Sequence, residues 1–226
     1  MLNTDEIAMR LNHPVTNHDR LAIVPRPNLD AMFTRSATSV DLRLGRWFRS
    51  FKQNQTPNFP LWRDGPDDDG NDTSGIGTKE HFVRFGEEFI LHPGRFVLGV
   101  TLEWLSLPST LSGYVTGKSS LGRHGLIIET AAGIHPKFTG CLTLELANCG
   151  EIPLTLAPGM SICQIFLHST KTGSGSSGGD FSRQRKPSIK LPSRDPVFDK
   201  LRASRADRPP TPAPDIAVTS PDVEAA

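Results

Sequence analysis

Between Phe82 and His168 the chain is cut into short apolar or alternating runs by recurrent turn signals: His92-Pro-Gly, Leu107-Pro-Ser, His135-Pro-Lys, Asn148-Cys-Gly and Ala157-Pro-Gly. Runs this short, at this spacing, predict many short strands in an antiparallel sandwich or barrel and argue against alternating βαβ units. The flanks read differently. Asn3 or Thr4 can cap a short first helix, with Asp5 and Glu6 at its positive end and Ile7 and Leu11 on one face. Leu21–Pro25 is a short strand candidate, and residues 39–48 alternate as one half-buried strand. Residues 53–80 carry Pro, Asn, Asp and Gly without apolar periodicity and read as a long exposed loop. From about Pro192 onward the Pro- and Ala-rich tail offers too little apolar area to offset chain entropy, so little fixed structure is expected there. The expectation is one β-rich domain over 1–190 and a disordered tail over 191–226.

Composition limits the function classes. With 226 residues and a net charge of +1, the chain has room for one sizeable core and no global field to attract nucleic acid or a membrane surface. No run of about 18 apolar residues exists to span a bilayer. The polar, acidic start excludes a secretory signal. Three cysteines, an odd and sparse set, fit a reducing cytoplasm and small buried hydrophobes rather than disulfides.

Residues 117–125, Gly-Lys-Ser-Ser-Leu-Gly-Arg-His-Gly, look at first like a P-loop. Gly113 leaves three residues before Gly117 where that motif needs four, and the following Leu126-Ile-Ile is strand-like, so no helix points at a phosphate. The parts still suit a polyphosphate: close backbone approach at Gly117 and Gly122, hydroxyls at Ser119 and Ser120, charge at Lys118 and Arg123. A solvated hairpin turn would have the same composition. In the run 141–149, period two puts Leu142, Leu144 and Leu146 on one face and Thr143, Glu145 and Ala147 on the other. If both faces of the sheet are covered, Glu145 is desolvated and its pKa rises toward general-base use; if not, it is a surface carboxylate.

Metal chemistry has little support. Neither a His-x-Glu nor a Pro-Cys-x-x-Cys occurs, so a zinc deaminase site is excluded. The acidic stretch at 64–72 fails the register of a calcium loop, with Gly65 and Ile76 at ligand positions. Gly175–Gly179 matches a nucleophile elbow only inside a Gly/Ser linker.

Taken in order, residues 96–103, 107–126, 140–148 and 152–165 resemble the dCTP deaminase branch of the dUTPase-like superfamily, and Ser39–Gly45 is also similar. The resemblance covers roughly residues 1–190. It implies a homotrimeric, distorted β-barrel or jelly-roll with active sites between subunits, and zinc-independent deamination of dCTP to dUTP and ammonia. Glu145 matches the base that activates water at cytosine C4. Ser119 and Arg123 match residues that help orient water and base, and the loop Lys118, Ser119, Ser120, Leu121, Gly122 and Arg123 matches the wrap around a triphosphate carrying Mg2+. Thr143 and Leu144 match the segment that reads the pyrimidine edge, and Gln184 matches the glutamine of a C-terminal arm that closes over the nucleotide.

The pattern departs in three places. His135 stands where the family has aspartate, with one residue fewer upstream, and Phe181 and Asp180 replace the usual tyrosine and lysine of the arm. A histidine is no fixed anionic base, which disfavours the alternative of dUTP pyrophosphatase or a bifunctional deaminase/dUTPase, although His135 can still bond a 3′-hydroxyl. A non-catalytic, nucleotide-binding regulatory trimer is the other alternative.

Overall fold

The computed structural model describes residues 1–53, 58–62, 77–129, 133–171, 182–192 and 195–206. In chain order these form α1 (Thr4–Asn12), β1 (Ala22–Val24), α2 (Leu29–Thr34), β2 (Val40–Arg43), β3 (Trp47–Phe51), β4 (Thr78–Phe82), β5 (Phe89–Leu91), β6 (Phe96–Val100) and β7 (Trp104–Ser106). There follow β8 (Leu111–Gly117), α3 (Ser119–Gly122), β9 (Leu126–Glu129), β10 (Gly133–Ile134), β11 (Thr139–Gly140), β12 (Thr143–Asn148), β13 (Leu154–Leu156), β14 (Ser161–Ser169) and α4 (Pro196–Ala206).

The strands are antiparallel and fall into four sheets with orders β1-β7-β11, β10-β8-β14-β2, β4-β3-β6-β12-β9 and β13-β5. Among the described residues none closes into a barrel; the fold is mainly β, as the turn spacing predicts, and jelly-roll-like, as the resemblance implies. The two larger sheets share one core. Val40, Leu42, Ile165 and Leu167 from the four-stranded sheet and Phe48, Leu144 and Leu146 from the five-stranded sheet are fully buried in it. Non-directional burial of this kind supplies most of the driving force for folding.

The predicted single strand over 39–48 is two strands in different sheets. Gly45 divides them: its N–H donates to Val100 O at 2.7 Å, and a Cβ there would stand 2.8 Å from that oxygen. Only a residue without a side chain permits that approach, and the chain uses it to cross from β2 to β3. At the N-terminus Asn3 is the cap, completing a capping box with Glu6.

Two other stretches have more structure than composition promised. β4 begins at Thr78, inside the stretch read as loop, where it pairs along all of β3. α4 lies beyond Pro192, started by Asp195, whose Oδ1 accepts from Val197 N at 2.9 Å. Its Phe198 ring packs 5.9 Å from Trp62, giving the helix an apolar contact that composition alone does not reveal. The acidic stretch at 64–72, the Gly/Ser linker and the end of the tail from 207 lie outside the described residues.

Candidate active site

The five-stranded sheet defines the site. On β12 Leu144 and Leu146 are fully buried while Thr143, Glu145 and Ala147 are half-buried on the opposite face, as the period predicts. Pairing with β6 sets Glu145 against Leu98, and pairing of β3 with β6 and β4 sets Arg49 against Leu98 and Glu80. Glu80, Arg49, Leu98 and Glu145 therefore form one row across the sheet. A row nearer Asn148 runs Thr78 and Phe51 on to Phe96 and Ala147; the Phe51 and Phe96 rings lie 5.4 Å apart. Glu145 thus lies on a partly apolar, partly charged sheet face.

The end of the face at Thr143 is covered. Cys141 N donates to Gln184 O at 3.0 Å, Arg183 N donates to Thr139 O, and Ser182 Oγ reaches the same carbonyl at 3.3 Å. The side-chain amide of Gln184 donates to Thr143 Oγ1 at 2.8 Å and to Cys141 O at 3.3 Å. Gln184, more than 40 residues along the chain, is thus brought to the strand that carries Glu145. Phe181 and Asp180 lie outside the described residues. Leu144 needs a correction: its side chain is in the core, so only its backbone can face a base. Along β12 the pairing with β9 sets Glu145 opposite Glu129, and Thr143 and Leu144 pair with Val100 and Gly99 of β6.

The loop 117–123 leaves β8 as a single helical turn. Gly122 N and Arg123 N donate to Lys118 O and Ser119 O at 3.0 and 3.1 Å, and Ser119, Ser120 and Arg123 are exposed. Gly125, at φ +88°, would place a Cβ 2.7 Å from Gly150 N, so the turn presses against the end of β12. Lys118 points away to the four-stranded sheet, where Nζ meets Asp41 Oδ2 at 2.7 Å and Ser161 Oγ at 3.2 Å.

One chain does not gather every predicted residue. Leu126, just after the loop, pairs with Asn148, three residues from Glu145, or on the order of 10 Å along a strand. His135 follows β10 at the edge of the other large sheet, opposite β8. Three separate groups result: Thr143, Glu145 and Gln184; the loop from Lys118 to Arg123; and His135.

Three supporting groups escape sequence reasoning. Glu103, 2% exposed, takes Arg43 N at 2.8 Å and Arg43 Nη1 at 3.1 Å. Burial pushes its carboxyl above the usual range, against the pull of Arg43. Thr101 links it to β12, donating to Glu103 O and accepting from Leu142 N, each at 2.9 Å. Buried Asn148 bonds Leu91 O, Ile152 O and Gly150 N, fixing the turn against the loop. Nothing local in the sequence distinguishes these from ordinary strand-end polar residues. Burial lifts the thiols of Cys141 and Cys163 to about 11 and about 12, so neither is a thiolate nucleophile near neutral pH. Among the described residues no group of three His, Cys, Asp or Glu side chains is set to hold a metal ion, and no helix is long and apolar enough to cross a membrane.

The jelly-roll-like fold, with its strand carboxylate and its separate cation-bearing loop, corresponds to a defined class: residues 15–170 match the family model described as dCTP deaminase-like, and the chain belongs to that family. Curated relatives include a protein of Corynebacterium kroppenstedtii, 41% identical over 157 residues, which covers 66% of this chain and 79% of that protein. Another, from Mycolicibacterium vanbaalenii, is 43% identical over 157 residues, covering 66% and 78%. Both are named dCTP deaminase, dUMP-forming. The crystal structure of 2′-deoxycytidine 5′-triphosphate deaminase from Agrobacterium tumefaciens shares the fold, with a TM-score of 0.53 and 21% identity over 75% of this chain. The present chain spans about half, 48%, of that solved chain.

Proposed function

We propose that this protein is a hydrolytic deaminase of dCTP, with Glu145 as the base. The observation that carries the reading is the position of Glu145, half-buried at mid-strand and two residues from Thr143 and its Gln184 partner. In the reaction Glu145 takes a proton from water as its oxygen adds to cytosine C4. That proton goes on to N3, and the proton of the new C4 hydroxyl passes to the exocyclic nitrogen, which leaves as ammonia while the C4 carbonyl forms. Thr143, the backbone of Leu144 and Gln184 are suited to read the pyrimidine edge. Ser119 and Arg123 orient water and base, and Lys118, Ser120, Leu121 and Gly122 complete the phosphate-binding turn. Magnesium arrives on the triphosphate as part of the substrate.

Because the three groups stand apart in one chain, we read the site as completed by another copy in a homotrimer, with the loop of one subunit serving the Glu145 face of its neighbour. The soluble, cytoplasmic setting inferred from composition accords with this use of a nucleotide.

For the end product, the relatives' names favour dUMP over the dUTP expected from sequence. Loss of pyrophosphate then follows deamination, consuming a second water. His135 does not forbid this, since a neutral imidazole accepts a proton as a carboxylate does. The alternative of a regulatory, nucleotide-binding trimer rests on His135 and the altered arm residues Asp180 and Phe181.

Incubation with dCTP and magnesium, followed by product identification, tests the reading. Ammonia with dUMP and pyrophosphate is expected. Ammonia with intact dUTP would restore the simpler product and leave the deaminase standing, whereas binding without ammonia would overturn it. Glu145→Gln should lower turnover by ~10²–10⁴-fold with dCTP binding retained.

A further inference from the structure

Gln184 is not held by its own bonds alone. Beyond it the chain crosses the outer face of the five-stranded sheet toward β3 and β4. Pro187 is buried there, and its carbonyl accepts from Arg49 Nε at 2.9 Å. The same guanidinium donates to Thr78 Oγ1 at 3.2 Å and to Glu80 Oε1 at 2.5 Å. The second oxygen of Glu80 takes Lys186 Nζ at 3.3 Å, and that ammonium stands 3.8 Å from the centroid of Trp47. Ser188 Oγ closes the set by donating to Gln184 Oε1 at 2.9 Å.

Arg49 uses all three nitrogens of its fork on three different acceptors, one of them in a segment 138 residues away. A buried carbonyl needs a donor. A proline cannot offer an N–H in return, so a strand ladder is not available to seat this segment. The Arg49–Glu80 pair is partly exposed, with side chains 22% and 39% accessible, and a pair of that kind adds little stability by itself. Its geometric effect is larger: Glu80 aims the guanidinium, and Arg49 ties down Pro187 in the row that contains Glu145.

We propose that Arg49, oriented by Glu80, is a positioning residue that fastens the 184–188 segment across the Glu145 face and so keeps Gln184 on Thr143. Its consequence for turnover rests on the deaminase reading above; the fastening itself does not. A lysine at 49 would keep the charge but lose the fork, and could not serve the same three acceptors in one orientation.

The test uses the full chain as wild type, Arg49→Met, Arg49→Lys and Glu80→Gln. Hydrogen exchange without nucleotide is read at the amides of Cys141 and Arg183, whose partners are Gln184 O and Thr139 O, with β14 amides as the core reference. Arg49→Met should raise exchange at both amides by about tenfold or more, the scale of a lost charge-assisted bond. Arg49→Lys should be nearly as fast, Glu80→Gln intermediate, and β14 unchanged. With dCTP, KM should rise severalfold while kcat falls less. Unchanged exchange at Cys141 and Arg183 in Arg49→Met, or full rescue by lysine, overturns the proposal. If Arg49→Met also loosens β14, Glu80→Gln decides alone, and exchange equal to wild type there overturns it. A wild-type protein that releases no ammonia from dCTP sinks the deaminase reading and leaves the exchange result to judge the fastening.

Discussion

The side-chain amide of Gln184 lies 2.8 Å from Thr143 Oγ1, on the strand face that two residues later carries Glu145. Thr143→Val keeps the shape and removes the acceptor, leaving that amide only Cys141 O at 3.3 Å. The expected result is a rise in KM for dCTP of about fivefold to tenfold, the scale of one neutral hydrogen bond, with a smaller fall in kcat. Steady-state kinetics of the pair Thr143→Val and Gln184→Ala should be strongly non-additive, because the two substitutions remove the same bond.

Glu103 and Arg43 form a second long-range pair, buried on the carboxylate side. Glu103→Gln should cost about 1–3 kcal/mol, since Arg43 loses a charged acceptor. The pH dependence has a definite sign. Burial raises the carboxyl above its ordinary 4.5 in the folded state. The folded chain therefore holds more protons than the unfolded one from that value upward to the raised one, and stability falls as pH rises through that window. The variant should lack this slope, as measured by urea midpoints across mildly acid pH.

His81 acts with the opposite sign. Burial, and secondarily Lys79, hold its ring below the ordinary 6.5, so it is kept neutral beside Ser50 Oγ at 2.8 Å. Unfolding lets the ring take a proton, and stability is lost as pH falls from that value toward the depressed one. His81→Phe should flatten this acid limb while removing the Ser50 bond, so thermal midpoints of the two proteins should converge as the buffer is made more acid.

Gly125 joins a positive φ of 88° to a backbone approach of 2.7 Å for any added Cβ. Gly125→Ala must strain the turn or push it off Gly150, for a cost of about 1–3 kcal/mol. Because the same turn carries Ser119 and Arg123, dCTP affinity should drop along with the melting temperature. A variant as stable as wild type would show that the turn yields freely.

Local chemistry was readable where it was periodic. The alternation of β12 put Glu145 on the face opposite Leu144 and Leu146, and Asn3 could be named as a helix cap. The strand after Gly125 was read correctly, but the single helical turn Ser119–Gly122 just before it was not expected. What escaped was set by distance along the chain. Gly45 looks like any loop glycine until Val100 is seen against it, which is why two strands in two sheets read as one. Arg49, Glu80 and Pro187 meet only through the tertiary fold, and no spacing within the sequence encodes their contact. Leu144 illustrates the reverse limit: a motif match named it for binding, although its period had already assigned its side chain to the core.

The bond between Lys118 and Asp41 has a consequence for how an anion approaches. The ammonium is already neutralised at 2.7 Å by a carboxylate from another strand, so the turn does not present its full formal charge to solution. On the proposed reading of the loop, capture of a polyphosphate there would exchange one anion for another, and the long-range pull would fall mainly to the exposed Arg123. Added salt, which screens free charges most, should therefore slow nucleotide entry less than a simple count of loop cations implies. Asp41 holds the lysine in an ion pair that an incoming polyphosphate would have to displace.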